Sequence, residues 1–407
     1  MDIRDVPEAH VDRAMELVYL VFHDNPDEEK RKHHRELVLA CERVGAYDGD
    51  TLVGFVAAHR FTLSVPGGDL PCPGLTFVSV APTHRRRGVL SAMIAELFRR
   101  GARQGRPLAA LWASEDAIYG RFGFSPAMYG LSVEIDSRRP LGLRIAPDER
   151  PLRLIDPADA PAVAGPYLDA TRAARAGRIA RDAERWTGEW LTEEAEEDDE
   201  LSPPRIVALG AEGDPLAGYA VYRTKAGNDD TGTPGVVRVD ELEADDAAAA
   251  AALWRYVTSI DLTGTVRAWG RPLDDPLLLF AADRDQVRVT GVHPGLWVRL
   301  VDVRAALTGR TWAAPVDLVL DVHDAHLPAN TGRFRLTAGP DSRTYEPTGD
   351  APDLTLDVRE LAACYLGGTE VRHLVRAGLV REHTEGAAAR LDAALRTDLL
   401  PNTGDEF

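Results

Sequence analysis

The chain has 407 residues, 44% hydrophobic and 28% charged, with a formal charge of -18; this excludes a disordered or fibrous protein and leaves room for two or three domains. So acidic a chain is a poor partner for nucleic acid, whose phosphates need local basicity, and it favours cationic small molecules instead. No apolar run approaches the roughly 18 residues of a membrane span, Met1 to Asp5 lacks a signal-peptide profile, and Cys41, Cys72 and Cys364 make neither a metal spacing nor a disulfide framework, so a cytoplasmic protein without a metal is expected.

In chain order, Asp5-Val6-Pro7-Glu8 predicts the start of a helix running to about Phe22. A second helix is expected from Asn25-Pro26, with Leu37, Val38 and Cys41 on one face and His33 and His34 on its solvated side. Ala46-Tyr47 and Leu52 to Ala57 flank the turn Asp48-Gly49-Asp50 as a hairpin, and a further strand, Phe61 to Val65, leads through Gly67-Gly68. Leu75 to Val80 alternates bulky and small residues as a strand. Arg85-Arg86-Arg87-Gly88 follows, and then Val89, Leu90, Met93, Ile94, Leu97 and Phe98 mark one face of a helix. A strand, a basic glycine-bearing loop and a helix N-terminus together make an anion site. Leu108 to Ala113 reads as a buried strand, Ser114-Glu115-Asp116 as the cap of a short helix through Tyr119, and Leu131 to Ile135 as the strand that closes this unit.

The middle of the chain echoes the first part. Ala208 to Arg223 parallels Ala46 to Arg60 around a slightly longer turn, and Val236 to Leu242 again leads into a helix. In place of the arginines stand Glu241, Glu243, Asp245 and Asp246, an acidic turn that would repel a pyrophosphate, followed by an alanine run that reads as plain helix propensity. A duplicated fold with one working anion site is expected. The acidic run Glu189 to Glu200 is either a solvated connection or a field that draws in polycations. The last segment opens with Leu300 to Leu307 and then predicts strands at Val316 to Val322, Arg333 to Thr337 and Asp353 to Leu356. Helices are predicted at Val358 to Leu366 and Ala387 to Leu395.

The element order together with Arg85-Arg86-Arg87-Gly88-Val89-Leu90 resembles the acetyl-CoA-dependent GNAT N-acetyltransferases, with Leu90 where a small residue is usual. The blocks Val78 to Gly88, Ala113-Ser114-Glu115 and Ile118 to Phe124, the overall length and the chain end in Phe407 are similar to the Eis (enhanced intracellular survival) branch of actinobacteria. That resemblance implies an α+β chain: a GNAT domain over 1–140, a degenerate GNAT-like domain over 141–290 and a sterol-carrier-protein-like domain over 291–407. It also implies a homo-oligomer, a hexamer in this family.

On the same resemblance, Val78, Ser79 and Val80 bind the pantetheine arm and acetyl group of acetyl-CoA through main-chain groups. Arg86, Arg87, Gly88, Val89, Leu90 and Ser91 hold the pyrophosphate, and Ser114 and Glu115 add contacts. Tyr119 matches the general acid, and the carboxylate of Phe407 the proton acceptor. A phenol and an alkyl thiol titrate close together, at about 9 to 10, so proton transfer between them is nearly balanced. A free carboxylate near about 3.5 is a poor base for an ammonium, so Phe407 is expected to hold and desolvate the amine. Asp24, Phe22, Phe77 and Glu406, with Tyr47, are the candidates for the amine pocket. The plainer alternatives are a sheet-edge aromatic for Tyr119, a core residue for Phe77 and a frayed terminus for Phe407.

The function implied is N-acetylation of primary amines on polycationic small molecules, aminoglycosides at several positions, with polyamines or lysine side chains as alternatives. The alternative of another class is a non-catalytic scaffold or lipid-binding protein, which predicts a degraded cofactor loop. Arg85 to Gly88 is intact, so this reading is disfavoured.

Overall fold

The computed structural model describes residues 1–192, 201–227, 232, 234–339 and 342–407. In chain order its first elements are β1 (Asp2–Asp5), α1 (Val11–Phe22), α2 (Glu28–Ala40), β2 (Glu42–Asp48), β3 (Thr51–Val65), β4 (Gly68–Val80), α3 (Val89–Arg103), β5 (Leu108–Leu111), α4 (Asp116–Tyr119) and β6 (Ser125–Pro126). There follow β7 (Tyr129–Asp136), β8 (Leu152–Ile155), α5 (Ala160–Val163), α6 (Gly165–Arg172), α7 (Ala183–Arg185), β9 (Arg205–Leu209), β10 (Gly218–Lys225), β11 (Gly235–Ala244), α8 (Ala247–Val257), β12 (Thr263–Pro272), α9 (Leu277–Phe280) and β13 (Val287–Pro294). The chain ends with β14 (Trp297–Leu300), α10 (Val303–Gly309), β15 (Val316–His323), β16 (Gly332–Ala338), β17 (Arg343–Pro347), β18 (Leu354–Asp357), α11 (Val358–Tyr365), α12 (Val371–Arg376), β19 (Val380–Glu382) and α13 (Ala387–Leu395).

Two compact units result. The first holds Met1–Met128, Leu296–Asp398 and Glu406–Phe407; the second holds Tyr129–Gly295 and Leu399–Asp405. The first unit contains a seven-stranded sheet in the order β1-β2-β3-β4-β5-β14-β6 and a five-stranded sheet in the order β17-β16-β15-β18-β19. On one face of the larger sheet, Val89, Met93, Ile94 and Phe98 of α3 pack against Val44, Val56 and Leu75. On the other, Val11, Met15 and Val18 of α1 pack against Tyr47, Leu52 and Phe55. Each such fully buried side chain contributes roughly 1.5–3 kcal/mol, which fixes the helix N-termini relative to the strand ends.

The second unit is a seven-stranded sheet in the order β13-β7-β12-β11-β10-β9-β8. Its main core joins Leu253, Trp254 and Val257 of α8 to Val207, Val237, Val239 and Val266.

Three expectations are corrected. The helix does not open at Asp5: Asp2 to Asp5 add an edge strand antiparallel to β2, a 3-10 turn starts at Glu8, and the α-helix itself runs from Val11 to Phe22 as expected. An edge strand with one core-facing residue, Ile3, leaves almost no periodic trace. Phe61 to Val65 is no separate strand but the end of the 15-residue β3, kept extended by pairing with β4 as far as Val65 opposite Gly68.

Leu131 to Ile135 does not close the first unit. It lies in β7, between β12 and β13 of the second sheet, while β14 enters the first sheet between β5 and β6. Both strands carry an apolar inward face, and periodicity holds no record of which sheet receives them. A boundary at 140 therefore falls after a strand of the second sheet. In the last segment the three expected strands and two expected helices are present, with β17, β19 and α12 in addition. Of the acidic run Glu189 to Glu200, residues 193–200 lie outside the described residues.

Candidate active site

Strands β4 and β5 are parallel and pair only at Gly74 with Ala110 and Leu75 with Leu111. Beyond Leu75, β4 stays with β3 and β5 pairs with β14, so the two diverge. A β-bulge in β4 opposite Val56 falls at the divergence, where Phe77 takes φ 51°. A bulky residue in the left-handed region is strained and is kept only where the surroundings fix it. Past the bulge, Ser79 is buried and its Oγ has no hydrogen-bond partner, while Val78 and Val80 are half-buried.

The loop after β4 carries the exposed Arg85, Arg86 and Arg87, with Arg86 at φ 60° and Gly88 at φ 81°. Gly88 caps α3 without any side-chain hydrogen bond, and a Cβ placed there would meet nothing within 4 Å. The first amides of α3, at Val89, Leu90 and Ser91, follow directly. A splayed strand edge with a buried unpaired hydroxyl, an uncapped helix N-terminus and flanking guanidinium groups fit a pantetheine arm ending in a pyrophosphate.

The second copy differs at each of these points. Eight residues, 81–88, separate β4 from α3, but only Asp245 and Asp246 separate β11 from α8. The Asp246 carboxylate accepts a hydrogen bond from Ala249 N at 2.9 Å, so the helix N-terminus is already satisfied by the protein itself. The expected acidic turn is corrected, since Glu241 and Glu243 belong to strand β11. Arg181 gives Glu241 two hydrogen bonds of 2.9 Å, Tyr219 Oη donates a third at 2.7 Å, and Arg178 pairs with Glu243. In sheet register Glu243 stands opposite Tyr219, as Ser79 stands opposite Phe55.

A cavity of about 350 Å³ in the first unit is lined by residues that include Phe22, Asp24, Phe77, Val78, Ser114, Tyr119 and Phe407. It brings together residues far apart in sequence, the last of them the chain end. Phe407 is half-buried, its ring 4.8 Å from Phe61 and 5.9 Å from His59, both edge-on. Gly74 makes room for it, because a Cβ there would lie 2.7 Å from Phe407 Cε2 and closer still to Phe61. The terminus is therefore not frayed.

Tyr119 is buried at the end of α4, and its phenol is pushed up to about 12 by burial first and by the Glu115 carboxylate second. Glu115 is exposed at the N-cap of α4 and makes no side-chain cap there.

Two candidates are not brought to the cavity. Tyr47 is fully buried in the core, bonded to His10 at 3.1 Å, and Glu406 is exposed and is not among the lining residues. Others line it without having been expected, notably Tyr19, Lys30, His34, Thr76 and Trp112. His34 is half-buried rather than solvated, 3.2 Å from Tyr19 Oη and edge-on to Phe77. Burial, then Lys30 and His33, lower it to about 4. Its signal in the sequence was weak: His34 follows Lys30 by one helical turn, which matters only once Tyr19 is known to lie alongside. His59 and Phe61, two apart on β3, share a face by strand alternation, and that was the legible clue to a seat for an aromatic ring.

Among the described residues no helix is long and apolar enough to cross a membrane, and no cluster of three or more His, Cys, Asp or Glu is placed to hold a metal.

Comparison with known proteins agrees with the duplicated architecture. Residues 2–127 and 177–318 each match an acetyltransferase (GNAT) domain, and residues 303–402 match a sterol carrier protein domain. An uncharacterized N-acetyltransferase of Streptomyces avermitilis is 40% identical over 376 residues, covering 90% of each chain. N-acetyltransferase Eis of Mycobacterium tuberculosis is 35% identical over 378 residues, covering 90% of this chain and 88% of that one. The crystal structure of Eis1 from Mycobacterium abscessus superposes with a TM-score of 0.86 at 31% identity over the whole of both chains. Two GNAT domains followed by a sterol-carrier-like domain, together with the similarity to N-acetyltransferase Eis over 90% of the chain, place this chain in the Eis family of GNAT N-acetyltransferases.

Proposed function

We propose that this chain transfers the acetyl group of acetyl-CoA to a primary amine of a polycationic small molecule, with aminoglycosides as the first substrate class and polyamines and lysine side chains as the next. The observation that carries the proposal is the single cavity in which Tyr119, Phe407, Asp24 and the aromatic rings of Phe22 and Phe77 meet. Aromatic faces and carboxylates recognise ammonium groups, and a chain of charge -18 draws polycations toward them.

In this proposal Val78, Ser79 and Val80 hold the pantetheine arm along the free edge of β4. Arg86, Arg87, Gly88, Val89, Leu90 and Ser91 take the pyrophosphate, with Ser114 and Glu115 beside them. Bound acetyl-CoA supplies a thioester carbonyl and a thiolate leaving group. Tyr119 Oη keeps a proton available for that sulfur. The Phe407 carboxylate holds and desolvates the amine. Lys30 shares the cavity with Asp24 and Phe407, and its positive charge offsets part of the stabilisation that their carboxylates give a bound ammonium. Assembly as a hexamer and residence in the cytoplasm belong to the same proposal.

The test is a thiol-release assay with acetyl-CoA against aminoglycosides, linear polyamines and lysine peptides. Turnover with the polycationic amines is expected. Turnover confined to uncharged amines or to alcohols would contradict the proposal.

A further inference from the structure

The second unit contains the same strand divergence as the first, but it is filled. Parallel pairing of β11 with β12 ends at Val239 opposite Ala268; beyond it β11 stays with β10 and β12 with β7. The segment Leu399–Asp405 belongs to this unit and is seated at that divergence. Asn402 Nδ2 donates to Gly270 O of β12 at 2.8 Å, and Asn402 N donates to Ala176 O at 3.0 Å. Leu400 is held on both backbone groups, its N donating to Asp274 at 2.8 Å and its O accepting from Arg175 at 2.6 Å.

Asp405, 3% exposed, closes the series: Arg181 Nε donates to it at 2.7 Å while the same guanidinium grips Glu241 of β11. Arg181 also lies 4.0 Å over the ring of Trp190. Thr403 Oγ1 bonds Asp405 within the segment, at 3.1 Å.

We infer that Leu399–Asp405 is an internal ligand of the second unit's cleft, held there by its own Asn402 and Asp405 and by Arg181. A buried carboxylate fixed by a buried guanidinium, itself fixed by a second carboxylate, is a rigid anchor, because loss of either partner leaves an uncompensated buried charge. The second copy of the fold then binds a segment of its own chain where the first copy leaves its strand edge free.

The experiment uses full-length Asn402→Ala and Asp405→Asn enzymes and reads release of Phe407 by a carboxypeptidase specific for aromatic residues. Release is expected to rise at least about tenfold as the segment leaves the cleft by local opening. Asn402→Ala removes a single neutral side-chain bond and serves where Asp405→Asn fails to fold. Release at the parent rate in both variants overturns the inference.

Discussion

Tyr119 keeps its proton far above neutrality, and the reason is its surroundings: the phenol is buried, and Glu115 opposes a second negative charge. Against a thiolate that titrates near about 9 in water, a phenol at about 12 donates uphill by ~4 kcal/mol. In the proposed transfer the near balance expected from reference values returns to the extent that the leaving sulfur is itself buried beside Tyr119, since burial raises its affinity for a proton too. The raised value sets the pH dependence. The acid form persists as pH rises until about 12, so Tyr119 imposes no alkaline fall in kcat between pH 8 and 10. Tyr119→Phe should lower kcat by about 10²-fold and leave the acetyl-CoA KM within about twofold. An alkaline limb near pH 9 that disappears in Tyr119→Phe would show that the phenol titrates where this site says it does not. His34, lowered to about 4, is neutral throughout that range and adds no inflection above pH 5; a kcat/KM step near 6.5 lost in His34→Gln would contradict this.

At the scale of elements, function turns on what joins a strand to a helix. The eight residues between β4 and α3 leave amides and arginines free for an anion, whereas the two between β11 and α8 end in a carboxylate that caps the helix. Arg86→Ala and Arg87→Ala should each raise the acetyl-CoA KM several-fold, about the loss of one charge-assisted contact, with kcat little changed. A fall in kcat at constant KM would place these arginines in the chemistry instead. The loop was legible in the sequence because Arg85 to Gly88 interrupts two clean periodicities. The acidic substitution in the second copy was legible too, but not its form, since Glu241 and Glu243 read as a turn until register put them on a strand. The exchange of β7 and β14 between sheets had no local signal, because pairing partners are a tertiary choice among similar apolar strands. Lys30 was passed over and His34 read as solvated for a related reason: a charged helix face reads as solvated until the neighbour across it is known.

For the whole molecule, the first copy of the fold leaves the edge of β4 free beside a helix N-terminus. The matching divergence in the second copy is occupied by Leu399–Asp405, and the proposal assigns the cofactor to the first copy alone. Calorimetry should therefore find one acetyl-CoA per chain; two equivalent sites would contradict the retirement of the second copy. The sterol-carrier-like segment, residues 303–402, contributes α10 to α13 and the sheet of β15 to β19 to the first unit. Nothing in the local sequence marked the chain end as part of the cavity, because only the family resemblance raised Phe407 above a loose end. In the structure that residue is seated by Phe61, His59 and the missing Cβ of Gly74, in the cavity that also holds Tyr119. The central claim is that the chain's own α-carboxylate does part of the work, and one added residue tests it. With a single glycine appended after Phe407, the account predicts loss of turnover by about 10²-fold or more at unchanged acetyl-CoA affinity and unchanged melting temperature. Full turnover by the extended chain would contradict it.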